Sequence, residues 1–315
     1  MKYWVKKIVS MLITLLIVSF LVFLAFTVIP GDPAVSKLGI QATFERLEAL
    51  REEMGLNRPF LERYGTWLVQ AIRGDFGTSY SYHTPVSAMV LDKLPITLSL
   101  TIMAFLLLVI GSIPLGIYTA KHEGGWLDRI ILVVNQIIMA VPPFFAGILI
   151  TYFFGLLLKW FQPGAFVSYG VSVSRFLRYL FFPAAAIAIP KMAMTVKLLR
   201  SALIDEAKKD YVRTAYSKGN SKNAVLYFHM LKNAMIPVVT FLAMTLTDMV
   251  AGSVIVEQVF SIPGLGRILI TSISNRDYPV VEAIIILLAV IVVMVNLLSD
   301  ILCRRLDPRI SGEDG

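Results

Sequence analysis

Long apolar stretches alternate with short polar ones along the whole chain. The first, Ile8 to Ile29, is 22 residues with only Ser and Thr as polar members. At about 1.5 Å per residue, a helix of that length crosses a hydrocarbon core of about 30 Å. Further stretches of this kind run from Ile96 to Tyr118, Ile130 to Leu158, Pro183 to Leu199, Pro237 to Val259 and Val280 to Leu302. They predict an all-α, polytopic membrane protein with six transmembrane helices, an even number that places both termini on one side. Pro30-Gly31-Asp32-Pro33 stops the first helix. Its apolar run exceeds the about 7 to 15 residues of a signal-peptide core, and no small-x-small cleavage site follows, so it reads as a retained span.

The polar segments carry patterns of their own. Residues 43 to 54 place Phe44, Leu47, Leu50 and Met54 at helical spacing with charges between them and Gly55 just after, which predicts an amphipathic surface helix closed by a glycine. The loop after the first span is therefore expected to be a small ordered cap. Between the fourth and fifth spans, helical periodicity continues through Leu198, Leu199, Ala202, Leu203, Ala207, Tyr211, Ala215 and Tyr216, so the fourth helix should extend out of the bilayer. Gly219 stops it in a left-handed conformation, and Ser221 is placed to cap a short transverse helix through Ala224, Val225, Phe228 and Leu231. A helix-turn-helix thus stands where a short loop would suffice.

Charge assigns the sides. The N-terminus has Lys2, Lys6 and Lys7 with no acid, and residues 197 to 235 hold eight Lys or Arg against Asp205, Glu206 and Asp210. Residues 30 to 95 balance seven basic residues with eight acidic ones. The positive-inside rule then puts both termini and the 197 to 235 loop in the cytoplasm and the 30 to 95 region outside, although Lys159, Arg175 and Arg178 in the next outer loop reduce the bias.

Composition narrows the class. The 315 residues are 57% hydrophobic and 16% charged, with a mean hydropathy of +0.74. Those values belong to a polytopic membrane protein. The net charge of +8 is explained by the cytoplasmic loops, so nucleic-acid binding is not expected. Cys303 is the only cysteine, which excludes an intrachain disulfide and a cysteine-based metal cluster. His83, His122 and His229 are isolated, and no His-Glu-x-x-His motif or carboxylate pair lies inside a span. No catalytic or metal site is expected. A phosphate loop of the Gly-x-x-x-x-Gly-Lys-Ser/Thr type is absent, so this chain is not itself an ATPase.

A few polar residues fall within the spans. Asp248 lies near the middle of the fifth, with Thr245 and Gly252 at i−3 and i+4. A charge at that depth costs at least about 2.5 kcal/mol unless paired or hydrated, so Asp248 is expected to face the bundle interior. It either lines a substrate path or serves another helix as a buried partner. Lys191, beside the helix-kinking Pro190 in the fourth span, raises the same alternatives, and spacing alone does not say whether the two pair. Asn296, Asp300 and Arg304 form one structural stripe on the last span. Asp277 and Pro279 read as its cap and first-turn proline. The segment 260 to 278 contains apolar Ile268-Leu269-Ile270 and is expected to dip partly into the outer leaflet, covered by protein.

The segments Asp210 to Ala215, Lys218-Gly219, His229 to Ala234 and Pro237-Val238-Val239 resemble the ATPase-contacting loop of permease subunits in the peptide and nickel family of ABC importers. Arg213-Thr214-Ala215 replaces the Glu-Ala-Ala of the broader importers, a departure usual in the peptide branch. The resemblance runs nearly end to end, through Pro30 to Pro33, Gly55 to Pro59, Arg73 to Gly77, Trp126 to Arg129, Pro263 to Arg267, Arg276 to Pro279 and Leu306 to Arg309. It implies a type I ABC importer permease-like bundle in a bacterial or archaeal plasma membrane, surrounded by membrane lipid. The expected regions are a first helix (1–29), an extracytoplasmic cap (30–95), a permease core (96–309) with a coupling loop (200–235), and a tail (310–315). Implied partners are a second permease subunit, two cytoplasmic ATPase subunits that bind ATP and Mg, and an extracytoplasmic binding protein. The chain itself needs no cofactor. Asp210, Tyr211, Arg213, Ala215, Lys218, Gly219 and Ser221 become candidate coupling residues, and Lys191, Thr245 and Asp248 candidates for the translocation path. Di- and oligopeptides are the implied substrates, with glutathione, nickel or metallophore complexes and oligosaccharides also open. The rival is a secondary transporter driven by an ion gradient through Asp248 and Lys191, for which no inverted repeat is found.

Overall fold

The apolar stretches become helices, and the polar punctuation decides where each stops. The computed structural model describes residues 2–28, 33–38, 42–53 and 55–306; the predicted stop at Pro30-Gly31-Asp32, Met54, and Asp307 to Arg309 with the tail beyond lie outside them. α1 (Lys2–Val28) is followed by α2 (Pro33–Leu38), α3 (Phe44–Glu53) and α4 (Phe60–Ile72). Next come α5 (Val86–Lys121), α6 (Trp126–Met139), α7 (Pro143–Ile150), which continues as a π-helix over Thr151–Leu157, and α8 (Val173–Ala207). The chain continues through α9 (Asp210–Ser217), α10 (Lys222–Ala224), a π-helical stretch (Val225–Met230), α11 (Leu231–Val259), α12 (Leu265–Ser274) and α13 (Tyr278–Leu306). Among the described residues there is no strand, only an isolated bridge between Thr78 and Pro85. Among the described residues five helices are long and apolar enough to cross a membrane, or six if α6 and α7 form one bent span. The chain divides into two compact units, Met1–Thr97 with Pro263–Val293, and Leu98–Ile262 with Met294–Gly315.

In the first unit α4 packs along α1 through aromatic rings. Phe20 and Phe23 meet Phe60 and Tyr64 at centroid distances of 5.3 to 5.7 Å. The Tyr64 and Ser19 hydroxyls bond at 2.8 Å. α3 uses its predicted apolar stripe only in part: Leu50 is buried and Leu47 half-buried, whereas Phe44 is exposed. Gly55 takes the predicted left-handed conformation, φ +66. Val86 and Val90 of α5, Leu265 of α12, and Val280, Ala283 and Ile284 of α13 form a buried core. The Thr97 hydroxyl accepts the Leu265 N–H at 2.9 Å, serving a donor that the helix start would leave unpaired. Asp277 departs from expectation. It stands at the position before α13, but its carboxylate accepts from the Ser79 hydroxyl and the Tyr80 and Ser81 N–H groups, so it pins the 79–81 loop instead of capping its own helix.

The second unit is organised around α8. Of the apolar window in α8, 61% is buried, against 11% for α1 in the first unit, so α8 is a core helix and α1 a peripheral one. α5 approaches α8 closely at two glycines: a Cβ on Gly111 would lie 2.4 Å from Met192 Cε, and one on Gly116 2.9 Å from Leu199 Cδ2. α8 itself runs uninterrupted through Pro183 and Pro190. Two expectations are corrected here. The third stretch, 130 to 158, is not one helix but α6 and α7 bent by 106°. Pro142 and Pro143 explain the break: neither can donate an N–H, and each forces an extended conformation on the residue before it. The expected extension of the fourth helix to Tyr216 also fails, because α8 ends at Ala207 and α9 begins separately at Asp210.

Asp128 and Arg200 hold α6 to α8. The buried Asp128 carboxylate accepts from Arg200 Nε and Nη2, both at 2.7 Å, and from the Gly124 N–H at 3.0 Å. Removing one member of such a buried pair costs about 3 to 5 kcal/mol, because the other charge is left uncompensated. Arg200→Met should therefore sharply lower the temperature at which the detergent-solubilised chain loses its folded fraction. The Asp128→Leu/Arg200→Met double variant should recover most of that loss, and a double variant as unstable as the single would contradict the pairing.

Candidate functional site

The segment between α8 and α11 folds back on itself. Lys209 adopts an extended conformation, φ −78 and ψ 148, and Asp210 opens α9 with an acidic first turn. Glu206, at the end of α8 and only 8% exposed, accepts from the Lys209 ammonium and the Tyr211 hydroxyl. Asn233 of α11 donates to the same Tyr211 oxygen at 3.2 Å. Burial first, and then the bond to Glu206, push the Tyr211 phenol above its ordinary value, so its hydroxyl stays protonated and donates to Glu206. Glu206, Tyr211 and Asn233 on three helices, with Lys209 from the connector between two of them, thus form one polar knot. Val212 and Ala215 of α9 are buried beneath it, as are Val225, Leu226 and Met230.

The apex is built by local chemistry. Gly219 has φ +84, and its N–H donates to the Tyr216 carbonyl at 2.9 Å. Nothing lies within 4 Å of where its Cβ would be, so backbone conformation rather than space requires glycine. Asn220 Nδ2 donates to the Ala215 carbonyl at 3.0 Å and closes the helix end. The Ser221 hydroxyl accepts the Ala224 N–H at 3.3 Å, the predicted cap. The helix it opens is not a separate transverse one, as expected, but runs continuously over Lys222–Val259 into the fifth span. Of the candidate coupling residues, Asp210, Arg213, Lys218, Gly219 and Ser221 are exposed. Tyr211 and Ala215 turn inward. Tyr216 and Lys222 join the exposed surface. Sequence reasoning missed the roles of Glu206 and Asn233, because their contacts with Tyr211 cross the helix breaks at 208–209 and 218–221, which no helical period connects.

The residues offered for the translocation path separate. Lys191 Nζ lies 2.8 Å from Asp248 Oδ2, so the two do pair. The Asp248 side chain is 63% exposed in this chain, however, while Thr245 is 1% exposed, so they do not share a face. The expectation that Asp248 points into the bundle interior is thereby corrected. It stands instead on an outward stripe of α11 with Met244, Ala251 and Ile255, beside the open position of Gly252. Asn296 behaves as the structural residue it was read to be, its side-chain oxygen accepting from Thr247 at 2.8 Å. Among the described residues no group of His, Cys, Asp or Glu could hold a metal ion.

The chain resembles known proteins along its whole length. Residues 112–312 match the family model described as binding-protein-dependent transport system inner membrane component, and residues 1–101 match its N-terminal companion. A probable peptide ABC transporter permease of Sinorhizobium fredii is 32% identical over 308 residues, covering 98% of each chain. An oligopeptide transport system permease of Bacillus subtilis is 35% identical over 311 residues, again 98% of each. A glutathione transport system permease of Pectobacterium atrosepticum is 33% identical over 310 residues, 98% of this chain and 99% of the relative. A crystal structure of an amino acid ABC transporter with histidines shares the fold, with a TM-score of 0.52 and 20% identity over 70% of this chain and 94% of that one. These likenesses remove the ion-gradient secondary transporter as an alternative. The chain belongs to the family of binding-protein-dependent transport system inner membrane components, the non-catalytic permease subunits of ABC importers.

Proposed function

We propose that this permease passes peptides inward as one of two membrane subunits, driven by two cytoplasmic ATPase subunits that dock on the apex around Gly219 and supplied by an extracytoplasmic binding protein. The observation that carries the reading is the exposed apex, Arg213, Tyr216, Lys218 and Gly219, held from beneath by the Glu206, Tyr211 and Asn233 knot. A flexible loop would absorb a push from a closing motor domain. A turn tied to both α8 and α11 transmits it. The relatives named for peptide, oligopeptide and glutathione transport support a peptide substrate, glutathione being itself a tripeptide. Both termini and the apex lie in the cytoplasm in this reading, following the distribution of Lys and Arg.

The outward Lys191–Asp248 pair fits the same assembly. A carboxylate facing acyl chains costs at least about 2.5 kcal/mol, so this stripe of α11 is better covered by a second permease subunit or by the water of a path between the two. The small Ala251 and Gly252 on that stripe allow a close approach.

Two outcomes are expected. Single cysteines at Glu52 and Lys222 in a Cys303→Ser background should react with membrane-impermeant reagents from opposite faces of the membrane; labelling of both from outside intact cells would sink the orientation. Gly219→Val opposes the left-handed turn by roughly 1 to 2 kcal/mol while leaving the spans intact. It should insert at normal abundance, yet co-purify with several-fold less ATPase subunit or show several-fold weaker substrate-stimulated ATP hydrolysis. Wild-type ATP-coupled uptake by the reconstituted variant would remove the apex from the coupling path.

A further inference from the structure

The first unit contains a cavity of about 440 Å³ that the transport cycle above does not use. Its walls come from the C-terminal end of α1, from α4, from the 75–80 loop and from the start of α13. That volume suits a small molecule. The lining combines aromatic rings with a few polar groups, and three of those groups are under-used. Glu282 is 7% exposed and lines the cavity together with Trp67. The Tyr278 residue is 6% exposed and its hydroxyl has no hydrogen-bond partner. Arg63 places its guanidinium 5.9 Å from the centre of the Phe23 ring and forms no ion pair with Glu282, although both line the cavity.

A buried carboxylate and an orphaned hydroxyl each cost free energy unless something answers them. Glu282 and Arg63 line one space without an ion pair between them, which leaves room for a molecule that brings an ammonium to the one and an anionic group to the other. The surrounding rings, Phe23, Phe26, Trp67, Tyr80 and Tyr278, offer the π-faces that favour an ammonium group. Tyr80 lies in the 75–80 loop, where burial, followed by the charges of Glu282 and Asp277, pushes its phenol well above the usual value and keeps it a neutral donor.

We propose that this cavity is a binding site for a small zwitterion, with a primary ammonium set against Glu282 and the aromatic walls and a carboxylate or phosphate set toward Arg63. Two sources share that chemistry, a free short peptide and the headgroup of phosphatidylethanolamine. The site shares no residue with the Lys191–Asp248 stripe or the apex, so its occupancy is read by binding and does not depend on ATP-driven uptake.

The test uses the full chain in nanodiscs of phosphatidylglycerol, titrated calorimetrically with dialanine and, separately, with dihexanoyl-phosphatidylethanolamine. N-acetyl-dialanine and dihexanoyl-phosphatidylglycerol, which lack the ammonium, serve as matched probes. At least one zwitterion should bind saturably, and about tenfold or more tighter than its ammonium-free counterpart. Glu282→Gln should weaken it by a similar factor and Tyr278→Phe by a few-fold, the scale of one hydrogen bond to a charged or polar group. Thr66→Trp, which alters no charge and fills the cavity from α4, should abolish binding even if Glu282→Gln fails to fold. Dialanine binding alone identifies the peptide as occupant, and phosphatidylethanolamine alone identifies the lipid; both source outcomes support the site. Absence of saturable binding for both zwitterions, or binding that Thr66→Trp leaves unchanged, overturns the proposal.

Discussion

A charged side chain on a buried membrane helix must be paired or hydrated, and α8 meets that demand along much of its length. Lys191 is answered by Asp248 of α11, Arg200 by Asp128 of α6, and Glu206 by Lys209 and by Tyr211 of α9, which Asn233 of α11 also reaches. Each contact ties a different element to the same helix. The apolar length of α8 buries its middle, while the ionic contacts fix which neighbours it keeps.

That arrangement gives the segment between α8 and α11 its mechanical character. The Gly219 apex stands on two short arms whose bases are bonded to α8 and α11, and buried Val212, Ala215, Val225 and Leu226 fill the space between. A force on the exposed apex therefore reaches two long helices together. One of them, α11, carries the outward Asp248 stripe and belongs to one continuous helix, Lys222–Val259, that begins just after the apex.

Local features were legible in the sequence because their causes are local. Gly219 and Gly55 have positive φ and Ser221 caps its helix, as turn chemistry requires. The five long spans followed from their apolar runs. Most of what escaped depends on contacts between separate elements. Asp277 reads as a cap by its place before Pro279, yet its carboxylate serves the 79–81 loop almost two hundred positions away. Tyr211 reads as one position of a continuing helical stripe and a candidate coupling residue, yet its hydroxyl donates to Glu206 across the break between α8 and α9. The bend at Pro142 and Pro143 was signalled, but the apolar run on both sides concealed it. Asp248 reads as an interior residue because an unpaired charge at that depth is costly, yet Lys191 of α8 pairs with it on an outward stripe of this chain.

The central claim is that the exposed face of the 210–222 turn, and not its inward face, meets the ATPase. It is tested most directly by a genetically encoded photo-crosslinking residue placed at Lys218 or Tyr216, with Ala215 as the inward control, in the assembled transporter. Irradiation should give a permease–ATPase adduct from Lys218 and Tyr216 and little or none from Ala215. Adducts from Ala215 alone, or none with the ATPase from Lys218 and Tyr216 in complexes that hydrolyse ATP normally, would contradict the account.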